Sequence, residues 1–241
     1  MHSKKAICLH NAGRLVLATS VLILAPNAFC QQDYVGQFDI YGGFGYLNSP
    51  KISLAESGFH TQAGMRVRRW VSLGFDYTIV TGNGALTPNL LTTSIQQQLG
   101  PQLGQAIAAG LIPASYQLKV PLGSKTQTFS LGPQISYRHF KQATLFIRPD
   151  LGAIHENATA HPTDAFATAI VQQLVPSGSE QDWTAFYGFG GGVDIILSHR
   201  FSIRVQGDFV HDHLFNDLLR DGRNTVRFAI GPGFQWGKNI E

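Results

Sequence analysis

Residues 71–82 read V-S-L-G-F-D-Y-T-I-V-T-G. Val71, Leu73, Phe75, Tyr77 and Ile79 share one face of an extended chain, and Ser72, Gly74, Asp76 and Thr78 share the other, because successive side chains alternate in a strand. The fold turns on which face looks inward. In a soluble sheet the apolar face packs a core; in a membrane barrel the order inverts and the apolar face meets lipid.

The same alternation recurs in eight runs, at 37–47, 57–68, 71–82, 126–138, 143–156, 184–198, 201–212 and 225–237. The apolar side reads Phe38/Ile40/Phe44/Tyr46 in the first run and Val226/Phe228/Ile230/Phe234/Trp236 in the last. Each run matches or slightly exceeds the roughly 9–11 residues with which a tilted strand crosses a bilayer. Tight turns around Arg69 and Trp70, Lys141 and His199 join the second to the third, the fourth to the fifth and the sixth to the seventh run. The other connections, 48–56, 83–125, 157–183 and 213–224, are longer. Short turns on one side and long loops on the other predict an all-β, eight-stranded antiparallel up-and-down transmembrane β-barrel, with both termini on the short-turn side.

The opposite faces of the runs hold His60, Gln62, Gln134 and Gln206 together with Asp39, Arg66, Asp76, Arg138, Arg148, Asp150, Asp194, Arg204, Asp208 and Arg227. Charges of both signs, interleaved with glycine, suit an interior only just wide enough for its own side chains. A turn at 198–200 sets Leu197 opposite Phe201 and therefore Asp194 opposite Arg204, an inward cross-strand ion pair. Outward aromatics sort into two heights. Phe38, Trp70, Tyr137, Phe201 and Trp236 fall toward the short turns; Tyr46, Phe59, Tyr77, Phe129, Tyr187, Phe209 and Phe228 fall toward the long loops. Two such bands are what membrane interfaces favour.

Composition agrees. Charged residues make up only 14% of the 241-residue chain, against about 25% in an average soluble domain. Lys4, Lys5 and Arg14 precede the apolar stretch 15–25 and the small residues Ala28 and Cys30, which predicts a secretory signal peptide over 1–30 and a barrel domain over 31–241. Bulky Phe29 disfavours lipidation of Cys30. Cys8 and Cys30, the two cysteines of the chain, both lie in that leader, so no disulfide framework is expected. Its three basic residues also account for the excess of 18 Lys and Arg over 15 Asp and Glu. The remainder is formally neutral, which excludes a basic nucleic-acid surface.

The leader, the eight runs, the inward Arg/Asp set and the closing V-R-F-A-I-G-P-G-F-Q-W (226–236) resemble the small OmpA-like outer-membrane β-barrel proteins. That resemblance implies a bacterial outer-membrane location, lipid as the surrounding medium and the barrel-assembly machinery as a partner during insertion. Two departures stand out: no peptidoglycan-binding domain follows the eighth run, and K-N-I-E extends past Trp236 where relatives tend to finish on an aromatic.

The two longest loops share an echo, T-S-I-Q-Q-Q-L-G-P (93–101) and T-A-I-V-Q-Q-L-V-P (168–176). Helical spacing of Leu91/Ile95/Leu99 and Phe166/Ile170/Leu174 predicts two Pro-bounded amphipathic helices capping the barrel rim, or else a surface shared with a partner or the outer leaflet. Other motifs fail their structural tests. G-F-G-G-G-V (188–193) lies inside a strand run, so it is no dinucleotide loop. H-D-H (211–213) does not converge on one metal in an extended strand. N-A-T (157–159) matches a glycosylation sequon that bacterial export makes irrelevant. His155, Glu156 and His211 stand at the height where lipid-modifying barrels carry catalytic residues, but no serine is spaced to pair with either His. The sequence therefore predicts a non-enzymatic protein without metal or cofactor. Its expected role is structural or in surface interaction through the long loops, whose ligand is unspecified, with a small passive channel as the alternative.

Overall fold

The computed structural model describes residues 32–240. The leader, both cysteines and the cleavage position lie outside them. Eight strands form one closed antiparallel barrel in chain order, β8 pairing back onto β1. They are β1 (Gly36–Ser49), β2 (Leu54–Arg68), β3 (Val71–Leu86), β4 (Val120–Tyr137), β5 (Ala143–Ala160), β6 (Ser179–Ile196), β7 (Phe201–Asp212) and β8 (Arg223–Asn239). Closure leaves no strand edge and satisfies the backbone between neighbours, the condition for crossing a membrane with strands.

The inversion anticipated for 71–82 is present: Phe75 is 47% exposed and Asp76 only 4%. Leu73, Leu131, Ile147, Leu151, Phe189 and Ile230 are likewise exposed on the outside. Both aromatic bands form ring contacts. At the short-turn end Phe38 lies 5.9 Å from Trp236 and Phe201 lies 5.1 Å from Phe234. At the long-loop end a chain of contacts runs from Tyr77 to Phe129 (5.0 Å), on to Trp183 (6.1 Å) and to His155 (4.4 Å).

Several strands run further toward the long loops than the alternation indicates, so the loops are shorter than expected. Residues 83–86, 120–125, 157–160 and 179–183 are strand rather than loop, and only 50–53 separate β1 from β2. Two helices stand above the rim, α1 (Thr93–Ala108) and α2 (Ala165–Leu174). Pro176 follows α2 as expected, but Pro101 lies within α1 rather than bounding it. The β4–β5 ladder pairs 122–130 with 152–160 and resumes at Ile135 opposite Ile147 in the same register. The skipped stretch holds Pro133 and Pro149, which have no N–H to donate.

Candidate functional site

The barrel interior and its mouth hold the chemistry, in three layers set by strand register. Nearest the short turns, Asp39 (β1), Arg66 (β2), Arg138 (just after β4), Asp194 (β6) and Arg204 (β7) converge. Arg204 donates from Nε and Nη2 to the two oxygens of Asp194 at 2.6 and 2.8 Å, as the Asp194–Arg204 register requires. It lies 3.7 Å from Asp39, which also holds Arg66 at 3.2 Å. Arg138 instead donates to the Arg69 carbonyl (2.9 Å) and the Thr144 hydroxyl (3.0 Å).

In the middle layer Arg148 pairs with Asp76 and, at 3.2 Å, with Asp208. Arg227 pairs with Asp150 and, at 3.4 Å, with Asp208. Gln206 donates to Asp208 at 3.1 Å. A Cβ at Gly190 would fall 1.8 Å from Asp208 Oδ1, so this layer closes only because β6 has no side chain there. All the inward charges read from the sequence thus lie inside the barrel. Residues from seven strands meet in these networks, which no local pairing rule could have assembled.

Aromatic residues share the interior. The Arg204 guanidinium sits 4.6 Å from the Phe146 ring and 5.7 Å from that of Tyr41; Arg227 sits 5.1 Å from Phe186. Cation–π contact of this kind lets a packed ring stand beside a buried charge.

The layer nearest the long loops is the one the sequence reading missed. Arg223 (β8) reaches Glu156 (β5) at 2.6 Å and Asp212 (β7) at 3.1 Å. Ser124 donates to Glu156 at 2.9 Å. Glu56 (β2) points into the same layer, 1% exposed, beside the hydroxyls of Ser124 and Thr126. Three carboxylates therefore lie in one layer with one guanidinium, which pairs with two of them. The inward alternation of β2 and β8, extended by one more step, would have found Glu56 and Arg223; the runs drawn from the apolar faces stopped at 57 and 225. Above and beside this layer the interior turns apolar. Leu47, Ile52, Leu54, Val80, Leu122 and Leu219 form one cluster, and Ile154, Phe186, Val210 and Leu214 another.

The cap above has its own core. Ile95, Leu99 and Leu103 of α1 pack with Phe166, Ile170 and Leu174 of α2, and with Leu118 and Val120. The echoed stretches therefore meet in one cluster. At the α2 N-terminus Asp164 Oδ1 accepts from the Ala167 N–H at 2.7 Å, and its Oδ2 accepts from the Tyr116 hydroxyl at 2.8 Å. These bonds, led by the Ala167 N–H, hold the Asp164 pKa below its ordinary value. Burial, then the neighbouring carboxylate, pushes Tyr116 up to about 12.

The residues weighed for catalysis separate. His155 stacks on Trp183 on the outer wall, while Glu156 faces inward. In H-D-H, Asp212 faces inward to Arg223, whereas His211 bonds Asn224 at 2.7 Å and contacts Tyr187. No group of three or more His, Cys, Asp or Glu among the described residues is placed to hold a metal.

No family model matches the chain, and no curated protein sequence matches it. Solved structures do. Neisserial surface protein A has a TM-score of 0.52 at 8% identity, over 83% of this chain and 97% of that one. OprG from Pseudomonas aeruginosa gives 0.48 at 10% identity, over 86% and 99%. Ail, the attachment invasion locus protein of Yersinia pestis, gives 0.44 at 11% identity, over 83% and 97%. With its closed ring of eight strands and inverted faces, this chain has the fold of the small outer-membrane β-barrels.

Proposed function

We propose that this chain is a non-enzymatic outer-membrane protein that acts at the bacterial surface through its cap, with short turns and termini in the periplasm. The observation that carries the reading is the division of the interior. Paired charges and then apolar clusters fill the barrel, while the long connections are spent on a separately packed cap. A filled interior argues for a wall-like scaffold over a conduit. The outward aromatic bands support lipid as the surroundings, and insertion is assigned to the barrel-assembly machinery.

Two measurements test this reading. Purified protein in planar bilayers should add no steady conductance above the lipid background; large, steady conductance overturns the closed interior and establishes the channel reading. Both native cysteines fall in the leader, so single new thiols report orientation cleanly. On intact cells a membrane-impermeant maleimide should label Leu111→Cys, at a cap position 75% exposed, and leave Trp70→Cys untouched. The opposite pattern reverses the topology.

A further inference from the structure

The mouth of the barrel holds two adjoining cavities, of about 60 and 80 Å³. They share Leu86, Ala160, Val175 and Leu218 as walls. The larger continues between Leu91, Leu118, Ile170 and Leu174 and meets no charged residue. The smaller reaches down to Glu156 and has Glu180 at its edge, where that side chain is exposed. A cavity walled by aliphatic groups offers water too few partners and favours an apolar guest, and the mouth of a β-barrel is a common place for such a site.

The floor adds a charge preference. Beneath the apolar walls, Glu156 and Asp212 pair with a single Arg223, and Glu56, 1% exposed, lies in the same layer beyond ion-pair distance of it. Glu56 and Ser124 flank Gly82 in the sheet, and Ser124 in turn bonds Glu156 at 2.9 Å, so the two glutamates belong to one layer. A Cβ at Gly82 would lie 2.0 Å from the Ala55 carbonyl oxygen, so glycine keeps that layer assembled. Buried carboxylates in excess over their counter-charges are costly until a proton or a cation joins them. An anionic chain such as a carboxylate would be repelled, and a polyhydroxylated molecule would find no hydrogen-bond partners along the walls.

We propose that the mouth binds a small apolar amine: a hydrocarbon body held between α1, α2 and the strand ends, with one protonated amino group directed at the Glu156 layer. The site lies in the cap to which surface contact is assigned, but it does not depend on that role or on orientation in the membrane.

Short six-carbon probes dissolve in water and allow a direct test. Protein in lipid nanodiscs, with the alanine, leucine and isoleucine methyls labelled, is titrated with n-hexylamine, n-hexanol and hexanoate, with empty nanodiscs as the partitioning blank. Hexylamine should shift the Ala158 and Ala160 methyls saturably, hexanol about tenfold more weakly or worse for want of a charge-assisted bond, and hexanoate not at all. Ala160→Phe, which fills the shared wall, should abolish the hexylamine shift at Ala158. Glu56→Gln, which leaves the Arg223 pairs in place, should bring hexylamine down toward hexanol. Equal binding of amine and alcohol overturns the charge preference, showing that the layer carries its own protons. Absence of a saturable shift with hexylamine in the wild type, or binding that survives Ala160→Phe, overturns the site itself.

Discussion

Asp194 and Arg204 show what single residues carry in this barrel. Removing one member of a buried pair leaves the other charge stranded, at a cost of about 3–5 kcal/mol. Because Asp39 stands 3.7 Å from Arg204 and Gln62 accepts from it, Asp194→Ala should fall at the lower end of that range. The cost should appear as a lowered urea midpoint for unfolding from lipid vesicles; an unchanged midpoint would show that interior water solvates Arg204. On the outer wall the sign of the preference reverses. Leu73→Arg should cost about 2–4 kcal/mol if Leu73 lies near the bilayer midplane, and the same unfolding assay would expose a wrong facing through wild-type stability. The facing of such residues was legible because lipid outside and packed charge inside enforce strict alternation. The partners were not: alternation tells which way Arg148 points, but Asp76 and Asp208 reach it from β3 and β7, neither of them a neighbour of β5. Tyr41, Phe146 and Phe186 escaped notice for a related reason. Their residue type suggests the lipid face, whereas strand alternation turns them inward and the guanidiniums beside Phe146, Tyr41 and Phe186 give their rings a partner there.

At the scale of the element, strand existence was far more legible than strand extent. Above the band that meets lipid, the outer face no longer has to be apolar, so the pattern fades while the ladders continue to residues 86, 120, 160 and 179. The helices announced themselves through apolar spacing, since each must bury a stripe against its neighbour. Their mutual packing required the two loops to meet over the rim, which spacing alone does not encode. The hinge of that arrangement is Asp164. Replacing it with Ala removes the N-cap of α2, at about 1 kcal/mol or less given its partial exposure. The native cap should also respond to acid. Asp164 has a folded-state pKa below its unfolded value, so its stabilisation is fully present above the ordinary aspartate range and is lost as pH falls through the lowered value. Protection of the Ala167 amide, measured against the intrinsic exchange rate at each pH, should therefore fall selectively on acidification, and the Asp164→Ala variant should lose that pH dependence. An Ala167 amide that follows the intrinsic trend in both proteins would remove Asp164 from the cap.

At the scale of the whole molecule, the short turns and long loops pointed to an even, up-and-down ring, and the ring is what the chain forms. The vertical order of its contents was not visible. Paired charges fill the barrel toward the short turns, an acid-rich layer follows, and aliphatic side chains seal the mouth. That order comes from register, which places Glu56, Gly82 and Ser124 on one row; a register shift of one residue would exchange every inward side chain for its neighbour.

The seam between β1 and β8 has a consequence of its own. The Ile240 N–H donates to the Val35 carbonyl at 2.9 Å, and Val35 N–H donates to the Asn239 side chain at 2.8 Å. The two ends of the described chain are therefore neighbours, and the ring has no intrinsic first strand. Joining those ends through a short linker and opening the turn between Arg69 and Trp70 would make β3 the first strand and β2 the last. Every ladder would be preserved, and both new ends would remain on the side of the old ones. Such a circular permutant should fold into lipid vesicles with native-like resistance to urea, measured beside the original order. Failure to fold would mean that the order in which strands enter the bilayer matters as much as the ring they finally close.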